Sequence, residues 1–270
     1  MKALRYLALS VAAVLFLVPF YLVVRNGLVS ESEISATSWT FLPSSVRWEN
    51  FAELFGDPAV PLVRSMVNSL VVAVLQTLGQ LLLCSLAGYG LARIPYRYAN
   101  VVFYFVVATL MIPAAVTFVP TFVVVSTLGW VSDLRGLVIP GLFSGFTAFL
   151  FRQYFLNFPR ELEEAARIDG LGHWGTFWRV VVPNSRGFFA ALGVIAFVTS
   201  WNQFLWPLVI AQDQDSWTVQ VALSTFLTAQ SINVHELFLA AAVSITPLVI
   251  VFVAMQRWLV RGVAETGIKG

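Results

Sequence analysis

Residues 6–24 read YLALSVAAVLFLVPFYLVV, nineteen positions without a charge. A helix that crosses the hydrocarbon core of a bilayer needs about 20 apolar residues, so this stretch predicts a membrane span. Five more follow, at about 67–92, 99–121, 136–151, 187–211 and 237–258. The composition agrees: 59% of the 270 residues are hydrophobic and 11% are charged, against about 25% charged in soluble domains. The reading is an all-α transmembrane protein with a single domain over 1–270. Prolines within the spans (Pro19, Pro113, Pro120, Pro140, Pro207 and Pro247) do not count against them, because neighbouring helices and waters satisfy the freed carbonyls.

The first stretch also resembles a signal peptide, with Lys2 and Arg5 ahead of an apolar run. The run is long for that role, and the RNGLVSES that follows offers no small-x-small cleavage site. It is expected to stay as a span. Basic residues set the orientation. With the N-terminus in the cytoplasm, 12 Lys and Arg fall inside and 4 outside (Arg25, Arg47, Arg64 and Arg135). Both termini are then cytoplasmic, in a multi-pass plasma-membrane protein. A formal charge of +2 points to no nucleic-acid partner, and the lone Cys84 forms no internal disulfide.

Two exposed regions result. The external segment 25–65 is polar and rich in acids, and it reads either as a solvated loop or as a docking face for an external partner. The cytoplasmic segment 152–186 reads RQYFLNFPRELEEAARIDGLGHWGTFWRVVVPNSR. Pro159 suits the start of a helix, and Glu161, Glu163 and Glu164 favour its positive end. Arg167 is spaced to pair with Glu163 at i,i+4. Gly170 is placed for a left-handed cap. Trp174, Phe177 and Trp178 then give a second short helix an apolar face, and Pro183 ends it. Physical chemistry alone leaves two readings of this helix–Gly–helix element: a partner's groove over the low Ala165–Ala166 surface, or a helix lying on membrane lipid.

The same residues carry a family resemblance. Glu164-Ala165-Ala166, three residues, Gly170, nine residues and then Val180-Val181-Val182-Pro183 resemble the EAA loop of ABC importer permeases. Ser200-Trp201-Asn202-Gln203-Phe204-Leu205-Trp206-Pro207-Leu208 and the tail from Arg261-Gly262 to Lys269-Gly270 are similar to the carbohydrate permeases of the maltose and glycerol-3-phosphate type, second permease of the pair. Glu265 departs from the usual tail.

The resemblance implies a six-helix type I importer bundle in a prokaryotic inner membrane, moving a sugar-like solute by alternating access. It implies ABC ATPase subunits, a second permease and an extracytoplasmic solute-binding protein as partners. It makes the loop a coupling helix, with Glu164, Ala165, Ala166, Asp169, Gly170 and Pro183 as the ATPase-coupling residues.

Other signals weigh less. Gly170–Gly175 matches GxGxxG, yet it follows a helical stretch and no acid stands in 188–199. The only lysines, Lys2 and Lys269, belong to no P-loop, so ATP hydrolysis is expected in another subunit. No catalytic group, metal site or cofactor is expected: the two histidines, His173 and His235, fall on opposite sides of the membrane. Polar groups in hydrocarbon are costly and often functional, which makes Asn68, Gln76, Gln80, Asn202 and Gln203 candidates for a solute path, with Trp201 and Trp206 as stacking partners. Helix–helix hydrogen bonding is the alternative use of the same residues. The competing functions are an ABC permease for a non-sugar solute and a secondary transporter, which usually carries ionisable groups inside its spans.

Overall fold

A computed structural model describes residues 2–38, 40–227 and 233–267, with side chains as far as Trp258. The tail resemblance at 268–270 lies outside these residues. Among the described residues every regular element is helical. The long ones are α1 (Lys2–Gly27), α2 (Leu62–Arg93) and α3 (Val234–Gly267). The helix α2 is the centre of the bundle, packing against both Gly145–Leu156 and Arg186–Trp201, while α1 and Arg186–Trp201 pack on α3.

By length and composition, four stretches can cross a membrane: Lys2–Gly27, Leu62–Arg93, Leu134–Leu156 and Val234–Trp258. Counting two bent pairs as spans gives six. The third expected span, 99–121, is a bent element: Ala99–Thr109 and Ala114–Thr127 meet at 97°. Pro113 has no N–H to donate and disfavours helical geometry at Ile112. The fifth, 187–211, is interrupted too. Arg186–Trp201 stops and the short Leu205–Ile210 follows, because the Pro207 ring cannot fit against a helical carbonyl at position 203. The fourth, 136–151, contains a single tight turn at Ile139–Gly141 around Pro140. Pro19, Pro120 and Pro247 lie inside continuous helices.

The outer surface of α1 is apolar, with Leu7, Leu15, Phe16 and Leu17 all exposed. Such a helix is stable only against lipid or a further subunit. The segment 25–65 is packed down rather than loose. Arg25, whose side chain is 1% exposed, pairs with Glu33 at 2.6 Å. Asn50 Nδ2 donates to the carbonyls of Gly27 and Val29, and Leu54 is fully buried.

Candidate functional site

The loop after Leu156 forms the helix Arg160–Ile168, entered through Pro159. It ends as its sequence requires. Gly170 has φ +81°, the Gly170 N–H donates to Arg167 O and the Leu171 N–H donates to Ala166 O, at 3.0 and 2.9 Å. This double closure is the Schellman motif, and a left-handed residue there favours glycine. A Cβ at Gly170 would meet nothing within 4 Å, so only the backbone demands glycine.

This helix has two faces. Glu163 and Ala166 are buried, at 4% exposure each; Glu164, Ala165, Arg167, Ile168, Asp169 and Gly170 are exposed. The Glu-Ala-Ala triplet is therefore split. Ala166, expected on the partner's side with Ala165, packs into its own chain instead, because i and i+3 share a face with Glu163. Glu163 does not turn to Arg167. Its partner is Arg93, the last residue of α2, with Nε to Oε1 at 3.1 Å and both side chains 5% exposed. Those atoms are misaligned for a hydrogen bond, so the attraction is one of charges. The Arg93 guanidinium also donates to the Phe158 carbonyl. Burial pushes the Glu163 carboxyl above the ordinary glutamate range, and the Arg93 and Arg167 charges pull it back. Beside the pair a cavity of about 290 Å³ is lined by Arg93, Arg160, Glu163, Glu164 and Arg167.

The second short helix also differs from expectation. His173–Thr176 runs into a widened π turn at Phe177–Val181 and then Val182–Asn184, which holds Pro183. The widened turn changes the register. Phe177 is buried against Tyr89 and Phe155, whereas Trp174 and Trp178 stay exposed. The chain then bends by 80° into Arg186–Trp201.

The polar candidates within the spans divide by use. Asn68 Nδ2 donates to Asp215 O and Trp217 O at 2.8 and 2.9 Å. Gln80 Nε2 donates to Gly141 O at 2.9 Å. Both therefore tie elements together. Trp201 is a core side chain, 2% exposed and stacked on Phe197, so it faces no open path. Asn202 is exposed, donating to Val198 O and accepting from Gln220. Gln76, Gln203 and Trp206 come together instead around a cavity of about 180 Å³, with Thr117, Phe118 and Thr121. The sequence pattern gave no signal for these last three, which the bend at 110–113 brings to the wall.

One cluster was not expected at all. His235 Nδ1 lies 3.0 Å from Glu31 Oε2, and Nε2 lies 3.5 Å from Glu53 Oε2. These contacts fasten the start of α3 to the 25–65 segment.

Residues 80–265 match the family described as binding-protein-dependent transport system inner membrane component. The sn-glycerol-3-phosphate transport system permease protein UgpE of Yersinia pestis is 31% identical over 267 residues, covering 97% of this chain and 95% of that protein. The lactose transport system permease protein LacG of Rhizobium radiobacter is 34% identical over 258 residues, covering 96% and 93%. One chain in the crystal structure of a bacterial ABC transporter involved in the import of the acidic polysaccharide alginate has the same fold. It aligns with a TM-score of 0.83 at 20% identity, over 96% of each chain.

Proposed function

Since the chain belongs to the family of binding-protein-dependent transport system inner membrane components, we propose that it is one of two permeases of an ATP-driven sugar importer, coupled to a separate ABC ATPase through Arg160–Gly170. Both termini face the cytoplasm in this reading, which the 12-to-4 distribution of basic residues supports. The relatives named as permeases for glycerol-3-phosphate and for lactose support a sugar-like solute. An extracytoplasmic binding protein delivers that solute, in keeping with the family's description.

The observation that carries the reading is the two-faced loop helix. Its outer strip, Glu164, Ala165 and the Gly170 cap, is low and exposed, as a docking groove requires. Its inner side is tied by Glu163 to Arg93 at the end of the central helix. Movement of the ATPase pair on ATP binding then displaces the loop helix, and Arg93 passes the displacement to α2. ATP acts by binding one of two rigid-body arrangements better than the other. Against a secondary transporter stands the placement of charge: among the described residues the Arg25, Arg93 and Glu163 side chains are buried, and all three lie at the ends of spans or beyond them.

Purification from detergent-solubilised native membranes tests this, wild type beside Glu164→Ala/Gly170→Asp. Wild type should bring down an ABC ATPase and a second permease, and the variant should lose the ATPase alone. Recovery of a homo-oligomer, unchanged by the substitutions, would refute the subunit reading.

A further inference from the structure

We infer that Glu53, His235 and Glu236 bind one divalent transition-metal ion of the zinc kind, which fastens the segment 25–65 to α3. Glu53 comes from the helix Glu49–Gly56, and His235 and Glu236 come from the first turn of α3. One ligand atom of each residue lies within 4.8 Å of the other two. The site is separate from the loop helix and does not depend on which solute is carried.

The histidine is prepared for a metal. Glu31 Oε2 accepts from the His235 backbone N–H at 3.2 Å and lies 3.0 Å from Nδ1. An ionised carboxylate can only accept, so Nδ1 carries a proton and Nε2 of the neutral ring carries a lone pair. A metal-ligating imidazole almost always gives its other N–H to such a partner, which fixes the ring and raises the basicity of the ligand atom. Nε2 is itself buried and has no hydrogen-bond partner. It faces the Glu53 carboxylate, with Oε2 at 3.5 Å. Two acceptors at that distance repel unless a cation joins them. A proton would join them through a hydrogen bond, and this contact lacks hydrogen-bond geometry. A metal fits better. Two ligands of one tetrahedral zinc ion, each about 2.0–2.1 Å from it, stand about 3.4 Å apart with the ion off the line between them. Glu236 reaches the same ion by closing at most about 1.4 Å, which its flexible stem permits, and water takes the fourth position.

The donor set names the ion. Ca2+ and Mg2+ take oxygen ligands, whereas imidazole suits zinc and its neighbours. Glu31, Glu53 and Glu236 place three carboxylates around one imidazole, and a dication offsets their repulsion. The ion has a way in: the Glu53 side chain is 47% exposed, and a cavity of about 270 Å³ lined by Asp57, Asn233 and Glu236 adjoins the cluster.

The protein purified in detergent with everything that copurifies tests the assignment, after stripping with EDTA and titration with ZnCl2 and, separately, CaCl2. By elemental analysis wild type should hold one zinc more per chain than Glu53→Gln or His235→Gln. Glu31→Ala leaves all three ligands in place and should weaken zinc binding about 10–100-fold. Zinc at about 100 times its Kd should raise the thermal midpoint of wild type by several degrees and leave that of Glu53→Gln unmoved. Glu53→Gln keeps the size of an exposed side chain, and an unchanged circular dichroism spectrum separates loss of the ion from loss of the fold. Equal zinc in wild type and both ligand variants overturns the site. A midpoint that falls in His235→Gln while wild type takes up no zinc identifies a latch held by a proton and overturns the metal. Tighter binding of calcium than of zinc overturns the class of ion.

Discussion

The two ends of the central helix Leu62–Arg93 are fastened in different ways. Near Leu62 the contacts are numerous and all reach backbone groups: Asn68 holds the carbonyls of Asp215 and Trp217, Arg64 Nε also donates to Asp215 O, and the Ser69 hydroxyl accepts from the Val219 N–H at 2.8 Å. At Arg93 a single buried ion pair reaches the loop helix. Side chains bonded to backbone groups make a fixed wall, because several bonds tie the same two segments together. A long guanidinium stem paired with one carboxylate joins two bodies that can move together. It also concentrates the cost of failure in one contact, since losing either partner strands a charge.

That contrast can be broken most severely at Arg93. Removing one member of a buried pair costs about 3–5 kcal/mol, so Arg93→Met should lower the thermal midpoint of the purified complex and release the ATPase. Arg93→Met/Glu163→Leu should recover most of the midpoint. Equal losses in the single and double variants would show that the pair is not the link. A smaller effect is expected at the other end. Asn68→Ala strands the Trp217 carbonyl, while Asp215 O keeps the Arg64 Nε–H, and should cost about 1–3 kcal/mol, with ATPase copurification retained. Gly170→Ala comes next, at about 1–2 kcal/mol for a left-handed non-glycine residue. Gly170→Asn should lose less, because asparagine tolerates that region; equal losses would place the cause in sterics.

The smallest effect is one of pH. The folded Glu163 carboxyl binds its proton more readily than the unfolded one, because burial raises its pKa. Between the ordinary glutamate value and the raised one, the folded state holds more protons, so stability falls as pH rises through that window. Midpoints measured across it should slope downward for wild type, and the slope should flatten in Glu163→Gln.

Much of this was legible in the sequence. The apolar lengths marked α1, α2 and α3, and Gly170 announced its own left-handed cap, because both signals are local. Proline was not decisive by itself. Pro113 and Pro207 accompany breaks while Pro19, Pro120 and Pro247 do not, since the outcome depends on what the neighbouring helices supply. The Arg93–Glu163 pair joins residues 70 apart in sequence, and no local pattern prefers it to Glu163–Arg167. Among the polar candidates, composition could not separate Trp201, which is core, from Trp206, which lines a cavity; only packing distinguishes them.

The central claim is that the Glu-Ala-Ala triplet offers one face to a partner and keeps the other for its own chain. Cysteine crosslinking tests it, in a Cys84→Ser background with the complete complex. Ala165→Cys should crosslink to the copurifying ATPase, and the yield should change when ATP is added. Ala166→Cys should not crosslink. Crosslinking from position 166 but not from 165 would contradict the account.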